Sequence, residues 1–262
     1  MNDLDAIRPL EEAVWGLFSH LGRGDGGSVV DTPSRLIVRS PVRQAPYNGV
    51  YRFLDDGRPM ADQVTETLGL FEPGVPVTWL VHPTSPPAVE AALTDAGLVE
   101  AESMPGMVAD LADLPPLGDA PAGVRIEEAP VDRGDAWVHL VSWRYGLEPA
   151  ASDYLAEVYR YARTHGTRLW VAYDGDEPIS KAATYTGDDF VGVFGVATTE
   201  AGRGKGLARH LTLTGLHAAA DDDGITTGVL HSTPMAHSLY EKMGFRDAAT
   251  FRLWATPGDL EL

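Results

Sequence analysis

Arg203-Gly204-Lys205-Gly206-Leu207-Ala208 stands between an apolar run, Val191 to Thr198, and a stretch whose apolar residues have helical spacing. The first backbone N–H groups of a helix have no intrahelical acceptor, and the helix dipole places partial positive charge at the same end. Glycines let an anion approach the backbone closely, and the Arg and Lys of this stretch add full positive charges. The segment therefore predicts a loop that binds a diphosphate at the start of a helix.

Two other nucleotide-binding patterns do not fit this loop. A P-loop requires Gly, four residues and then Gly-Lys-Ser/Thr, whereas Thr199 takes the position of the first glycine and Gly206 that of the Ser/Thr. A dinucleotide-binding fingerprint needs a third glycine at Leu207 or Arg209, and the neighbouring strands are predicted to form an antiparallel meander. The remaining pattern, Arg/Gln-x-x-Gly-x-Gly/Ala, fits from Arg203 onward.

A second motif follows in the segment Thr233-Pro234-Met235-Ala236-His237-Ser238-Leu239-Tyr240-Glu241-Lys242-Met243-Gly244-Phe245. On a helix, Ala236, Leu239, Tyr240 and Met243 fall at positions i, i+3, i+4 and i+7, so they share one face. We therefore expect Tyr240 to point inward, in register with the Gly-Phe pair that ends the motif.

Together the two motifs resemble the signatures of the GNAT superfamily of N-acetyltransferases, over about Val124 to Trp254. The resemblance implies that acetyl-CoA is the acyl donor. Its diphosphate would bind Arg203, Gly204, Lys205, Gly206, Leu207 and Ala208, and its pantetheine arm the backbone of Val196, Ala197 and Thr198. Thr233 is a further candidate contact to the cofactor, at a position where the family often has Asn.

Acyl transfer from a thioester to an amine needs a neutral amine, a stabilised oxyanion and a protonated leaving sulfur. By the resemblance, the N–H near Val196 polarises the thioester carbonyl. Tyr240, with an unperturbed pKa near 10, is predicted to protonate the departing thiolate. Many family members place a carboxylate base on the strand Phe190 to Thr198, which has none here. His231, at the end of the next predicted strand, is the leading candidate base, and Glu200 or a water relay are alternatives.

The composition limits the kinds of site and partner. With no cysteine, the chain has no disulfide, thiolate zinc site or cysteine nucleophile. A net charge of -18 argues against a nucleic acid or an anionic membrane as partner. The sequence contains no metal-site motif, so we expect no metal. Without a signal peptide or a long apolar stretch, we expect a cytoplasmic protein. The resemblance implies an amine of a small molecule or peptide as acceptor, and it leaves open whether the chain is a monomer or a homodimer.

Composition also predicts the domain organisation. Residues 114–123 contain three prolines and two glycines and are predicted to form a linker between a domain at 1–113 and a catalytic domain at 124–262. In the second domain, apolar spacing predicts the order β-α-α-β-β-β-α-β-α-β. This order indicates an α/β (α+β) fold of GNAT type, a mixed, mostly antiparallel sheet with helices on both faces.

The first half repeats part of the second. Ser85-Pro86-Pro87 matches Ser232-Thr233-Pro234 and Gly97-Leu98 matches Gly244-Phe245, each pair 147 residues apart. We interpret this as a decayed internal duplication in which the N-terminal copy is an inactive, degenerate GNAT-like domain. Leu93 stands where Tyr240 stands in the second copy, and no basic, glycine-rich loop precedes it.

Two further predictions concern function and local structure. A non-catalytic acyl-CoA-binding or regulatory module is the alternative to an enzyme, and Tyr240 distinguishes them because binding alone requires only the loop. Met104-Pro105-Gly106-Met107 is predicted to form a hairpin corner or, alternatively, to wall the acceptor pocket.

Overall fold

The computed structural model describes residues 3–130 and 135–258, with side chains for residues 6–130 and 136–258. The helices in these ranges are α1 Asp3–Ser19, α2 Met60–Leu68, α3 Val89–Asp95, α4 Asp135–Tyr145, α5 Pro149–Arg163, α6 Leu207–Asp223 and α7 His237–Glu241. The strands are β1 Ser28–Thr32, β2 Arg35–Arg39, β3 Gly49–Phe53, β4 Thr78–Val81, β5 Val99–Asp110, β6 Val124–Glu128, β7 Thr167–Asp174, β8 Glu177–Thr186, β9 Phe190–Thr198, β10 Thr227–His231 and β11 Arg246–Ala255. From β6 onward, the order of helices and strands is the predicted one.

The described strands form one continuous sheet in the order β1-β2-β3-β4-β11-β5-β10-β9-β8-β7-β6. Among them, β3 pairs with β4 and β9 pairs with β10 in parallel, and the other pairings are antiparallel. Helices pack on both faces. The predicted fold class is therefore confirmed.

At the centre of the sheet, the two halves of the chain exchange strands. The N-terminal strand β5 pairs with β10, where Gly106 faces His231 and Asp110 faces Thr227. The C-terminal strand β11 pairs with β4, where Arg252 faces Val81. β5 and β11 also pair with each other, which gives the local order β4-β11-β5-β10. The last strand of each half is thus inserted among strands of the other half. The pattern of each half alone gave no sign of this exchange.

The exchanged strands carry the repeat seen in the sequence. Val99 begins β5 and Arg246 begins β11, and these residues are also 147 positions apart. The glycines that precede them, Gly97 and Gly244, both have positive φ, at +87° and +95°. Each half also has a parallel strand pair joined through a helix, β3–α2–β4 and β9–α6–β10. The tandem arrangement predicted from the repeat agrees with this architecture.

Two sets of helices cover the two faces beside β7, β8 and β9. On one face, here the α6 face, α6 packs against Trp170 and Ala182. On the other, the α1 face, α1, α4 and α5 pack against Val171 and Ala183. Neighbouring residues of a strand point to opposite faces, so alternate side chains of β7 and β8 belong to different cores.

The segment between the halves runs from the middle of the sheet to its edge. Residues 114–123 contain no helix or strand and connect β5 to β6, about 24 Å away across the intervening strands. The carbonyl oxygen of Pro115 lies 3.1 Å from Nε2 of His217 on α6. The division into domains at 1–113 and 124–262 stays a prediction, since the halves share one sheet.

The prediction of a hairpin corner at Met104–Met107 is wrong, because these residues lie inside β5. A Cβ on Gly106 would come within 2.8 Å of Phe251 and 3.1 Å of Leu10, so glycine permits close packing there and does not make a turn. Within the described residues, no helix is long and apolar enough to cross a membrane.

Candidate active site

A bulge opens the sheet between β9 and β10. The two strands pair in parallel only as far as Val193 and Leu230. Beyond this point β9 continues along β8, where Phe194 faces Ala183 but Ala197 faces Lys181, so β9 carries one extra residue. Gly195, inside this bulge, has φ of +58°, a conformation that favours glycine. The bulge bends β9 away from β10 and leaves its backbone edge facing a gap.

The glycine-rich loop ends at the first turn of α6. Gly204 and Gly206 both have φ of +75°, so the right-handed helix begins only at Leu207. The first intrahelical bond runs from His210 N–H to Gly206 O, which leaves the N–H groups of Leu207, Ala208 and Arg209 without helical acceptors. The backbone thus presents several donors at one point.

The side chains of this loop differ in their exposure. The side chain of Leu207 is buried in the core between α6 and the sheet, so only its backbone is available to a ligand. Lys205 Nζ lies 3.0 Å from Asp174 Oδ2 at the surface. Arg203 is exposed and makes no ion pair within the described part of the chain. The loop therefore has one free cation and one that is already paired.

A cavity of about 310 Å³ lies at the gap and is lined by both halves of the chain. Its lining residues are Val14, Phe18, Pro46, Tyr51, Leu80, Glu102, Met104, Arg144, Tyr145, Lys181, Val193, Phe194, Gly195, Val196, Ala197, His231, Thr233, Ala236, Tyr240 and Leu253. We call it the outer cavity. Of the predicted site residues, Val196, Ala197, Thr233, His231 and Tyr240 meet here. The others, Thr198 and the loop 203–208, lie outside its lining, and the hydroxyl of Thr198 is 2.8 Å from that of Ser180.

Tyr240 borders the outer cavity from the α6 face. It lies on α7, is 6% exposed and packs in the core that includes Val193 and Leu216. Burial raises the pKa of its hydroxyl to about 12, so it stays protonated at neutral pH. A protonated phenol at the edge of a cavity is a candidate proton donor.

Comparison with known proteins identifies this arrangement. Residues 165–247 match the model of the acetyltransferase (GNAT) domain. The chain has a GNAT fold. No curated protein matches its sequence.

Solved GNAT structures resemble the whole chain, although their sequences are distant. A GCN5-related N-acetyltransferase from Kribbella flavida has a TM-score of 0.65 at 16% identity, over 95% of each chain. A tandem GNAT protein from the clavulanic acid biosynthesis pathway has a TM-score of 0.63 at 14% identity, over 97% of this chain and 95% of that one. A GCN5-related N-acetyltransferase from Sphaerobacter thermophilus has 0.59 at 17% identity, over 90% and 85%. These similarities extend to the tandem arrangement of the fold.

His231 lies across the GNAT sheet from Tyr240. It ends β10, and its ring contacts Phe251 edge-on with centroids 4.2 Å apart, on the α1 face. Part of the residue remains accessible, but both ring nitrogens are buried and have no hydrogen-bond partner within the described residues. Burial lowers the pKa of the imidazole to about 3, so the ring is neutral at physiological pH and is a weak base.

Lys181 is a site residue that sequence reasoning missed. It lies on β8, is 2% exposed, and its Nζ donates a hydrogen bond of 2.6 Å to the carbonyl oxygen of Gly195. The same Nζ lies 4.3 Å from the centre of the Trp137 ring. Burial, and secondly the charge of Arg144, lower its pKa to about 7. The sequence feature that could have revealed Lys181 is its place within the strand-like run Ile179 to Thr186. The chain has only two other lysines, Lys205 and Lys242.

The N-terminal half also supplies a titratable group that the sequence did not reveal. Glu102 on β5 lines the outer cavity beside Tyr145, and burial raises the pKa of its carboxyl. Nothing in its local pattern distinguishes Glu102 from other polar strand residues, because its position depends on the strand exchange. Among the described residues, no cluster of three or more His, Asp or Glu is placed to hold a metal ion.

Proposed function

We propose that the chain is an N-acyltransferase that moves an acetyl group from acetyl-CoA to an amine of a small molecule or peptide. One observation carries this proposal: the bulge at Gly195 opens a passage through the sheet between a helix N-terminus with a basic loop and the opposite face. Tyr240 borders the passage on the α6 face, and His231 and Lys181 border it on the α1 face. Side chains from both faces of the sheet thus line one cavity.

The donor binds along the α6 loop and the free edge of β9. The N–H groups of residues 207–209 and the guanidinium of Arg203 hold the diphosphate. Backbone groups of Val196, Ala197 and Thr198 that face the gap lack partners on β10 and pair with the amides of the pantetheine arm, much as an added strand would. The N–H near Val196 then polarises the thioester carbonyl.

Transfer follows from the positions of the groups around the cavity. The lone pair of the amine attacks the thioester carbon, the C–N bond forms, and the C–S bond breaks. Tyr240 gives its proton to the thiolate, while a group on the α1 face takes the proton from the new ammonium. His231 is the base predicted from the sequence. Lys181 is added here because a pKa near 7 suits a base at neutral pH better than one near 3.

Arg203→Ala is expected to weaken CoA binding about tenfold, because it removes one charge-assisted hydrogen bond to phosphate. The dissociation constant is measured by isothermal titration calorimetry. Arg58→Ala is the matched control, since Arg58 precedes α2 in the first half and pairs with Asp56 and Glu66. Equal affinities for the Arg203 variant and the wild type would contradict the assignment of the loop.

We propose further that residues 1–113 form a degenerate copy that binds no CoA, and we expect one CoA per chain. The loop before α2 carries Asp55 and Asp56, whose carboxylates repel a diphosphate, and its one arginine, Arg58, is paired with Asp56 and Glu66. Calorimetric titration of the full chain with CoA gives the stoichiometry. A value of two would mean that the first half binds the cofactor.

Two assays test the function itself. A thermal shift with CoA reports binding, and release of free thiol from acetyl-CoA in the presence of an amine panel reports transfer. Amine-dependent thiol release, with the acetylated amine seen by mass spectrometry, supports the enzyme. CoA binding with no thiol release for any amine would instead indicate an acyl-CoA-binding module.

A further inference from the structure

A second, smaller cavity adjoins the outer cavity on the α1 face. It has a volume of about 120 Å³ and shares Phe18, Tyr145, Lys181 and Phe194 with the outer cavity. We call it the inner cavity. Lys181 stands at the boundary between the two spaces, and α1, α4 and α5 form the walls beyond it.

The position of the inner cavity favours the acceptor as its occupant. Ala183 and Val141 line it, and both belong to the core of the α1 face. The basic loop and α6, which hold the donor in the proposed function, lie on the other face. A molecule in the inner cavity therefore lies on the face of the sheet opposite the diphosphate.

The lining of the inner cavity is almost wholly apolar and rich in aromatic rings. Trp137 and Tyr159 meet edge to face with ring centroids 5.5 Å apart. Burial raises the pKa of the Tyr159 and Tyr47 hydroxyls, so these groups stay uncharged. An engineered apolar cavity of about 150 Å³ binds benzene, so a space of this size holds one ring or a short branched chain.

We propose that the acceptor is an amine carrying an uncharged, ring-sized apolar group, and that this group occupies the inner cavity. The inference rests on the proposed function and names the substrate class of the same site. With the apolar group seated, a short linker brings the amine past Lys181 and Gly195, which line both cavities, into the outer cavity, which His231 lines. A second positive charge in place of the ring would be buried beside Lys181 without a counter-ion, so the site disfavours diamines.

The first test compares acceptors with acetyl-CoA as donor. Phenethylamine and isoamylamine are expected to have kcat/KM about 100-fold above ethanolamine and putrescine, because only the former bury apolar surface in the inner cavity. Equal kcat/KM across the four amines, or a preference for putrescine, would overturn the inference while leaving acyl transfer intact. The absence of both CoA binding and thiol release would remove the proposed function and the inference together.

Variants of residues that line the inner cavity test whether the preference among amines arises there. Val141→Ala enlarges the cavity and is expected to raise the kcat/KM ratio of tryptamine to phenethylamine at least tenfold. Val138→Ala is the matched control, since Val138 is also a buried valine of α4 but lines neither cavity. Ala183→Leu fills the space and is expected to lower kcat/KM for phenethylamine at least tenfold, with the CoA dissociation constant unchanged.

The same variants distinguish an acyl chain from an acceptor group as occupant. Each is assayed with acetyl-CoA and with hexanoyl-CoA at a fixed amine. If Ala183→Leu alters the preference between donors and leaves the preference among amines unchanged, the inner cavity holds the acyl chain and the inference is wrong. If the variants alter the preference among amines and leave the preference between donors unchanged, the inner cavity holds the apolar group of the acceptor.

Discussion

Tyr240→Phe is expected to lower kcat by about 10²–10³, because phenylalanine fills the same space but has no proton for the leaving thiolate. Folding should change little, since the hydroxyl borders a cavity and the ring keeps its contact with Phe245. Stopped-flow or steady-state thiol release measures the loss. CoA affinity, measured by calorimetry, should stay within a factor of two or so of the wild-type value.

A matched tyrosine separates chemistry from packing in this experiment. Tyr185→Phe removes the hydroxyl of another partly buried tyrosine, one that lines neither cavity, and should leave kcat unchanged. Because burial raises the pKa of Tyr240 to about 12, its ionisation should not produce an alkaline fall in activity below about pH 11. Wild-type turnover in purified, folded Tyr240→Phe would remove this residue from the mechanism.

Lys181→Met is expected to remove a pH dependence of the free energy of unfolding on the order of 4 kcal/mol between pH 7 and pH 10.5, while lowering turnover. Burial lowers the pKa of Lys181 from its usual 10.5 to about 7, so the folded chain holds this proton less tightly than the unfolded chain does. The resulting destabilisation is full below about pH 7 and disappears as the pH rises through 10.5. The free energy of unfolding of the wild type should therefore increase between about pH 7 and pH 10.5.

Urea unfolding at pH 7 and pH 10 measures the effect of Lys181→Met. The free energy of unfolding of the wild type should rise relative to that of the variant by on the order of 3 kcal/mol from pH 7 to pH 10. Lys205→Met serves as control, because Lys205 is exposed and its pair with Asp174 contributes little. The same stability difference between variant and wild type at pH 7 and pH 10 would mean that the pKa of Lys181 is not lowered in the folded chain.

Local pattern predicted those parts of the fold and site that depend on neighbouring residues. The α6 helix with its loop, the order of strands from Val124 onward and the inward position of Tyr240 follow from spacing and glycine chemistry within short segments. The placement of Lys181 and Glu102 does not, since it depends on a bulge at Gly195 and on strands that are far apart in the chain. Single-strand periodicity carries no information about which strand becomes the neighbour of which.

The segment 104–107 shows how a turn signal can mislead. Proline and glycine in succession usually mark a turn, but here both lie in a central strand. Gly106 is required by the approach of Phe251, a residue of the other half that no local rule could bring there. Sequence reasoning failed at the positions where the two halves meet.

The shared sheet bears on whether the chain could fold and work without its first half. The strand β5, residues 99–110, pairs with β10, and the strand β11, residues 246–255, pairs with β4. We infer that a first half without a cofactor loop would be retained, because deleting it removes the strand that pairs with β10 and, with Glu102 and Met104, part of the lining of the outer cavity. In such a half, substitutions in the sheet and at the cavity lining would be more constrained than substitutions at the surface.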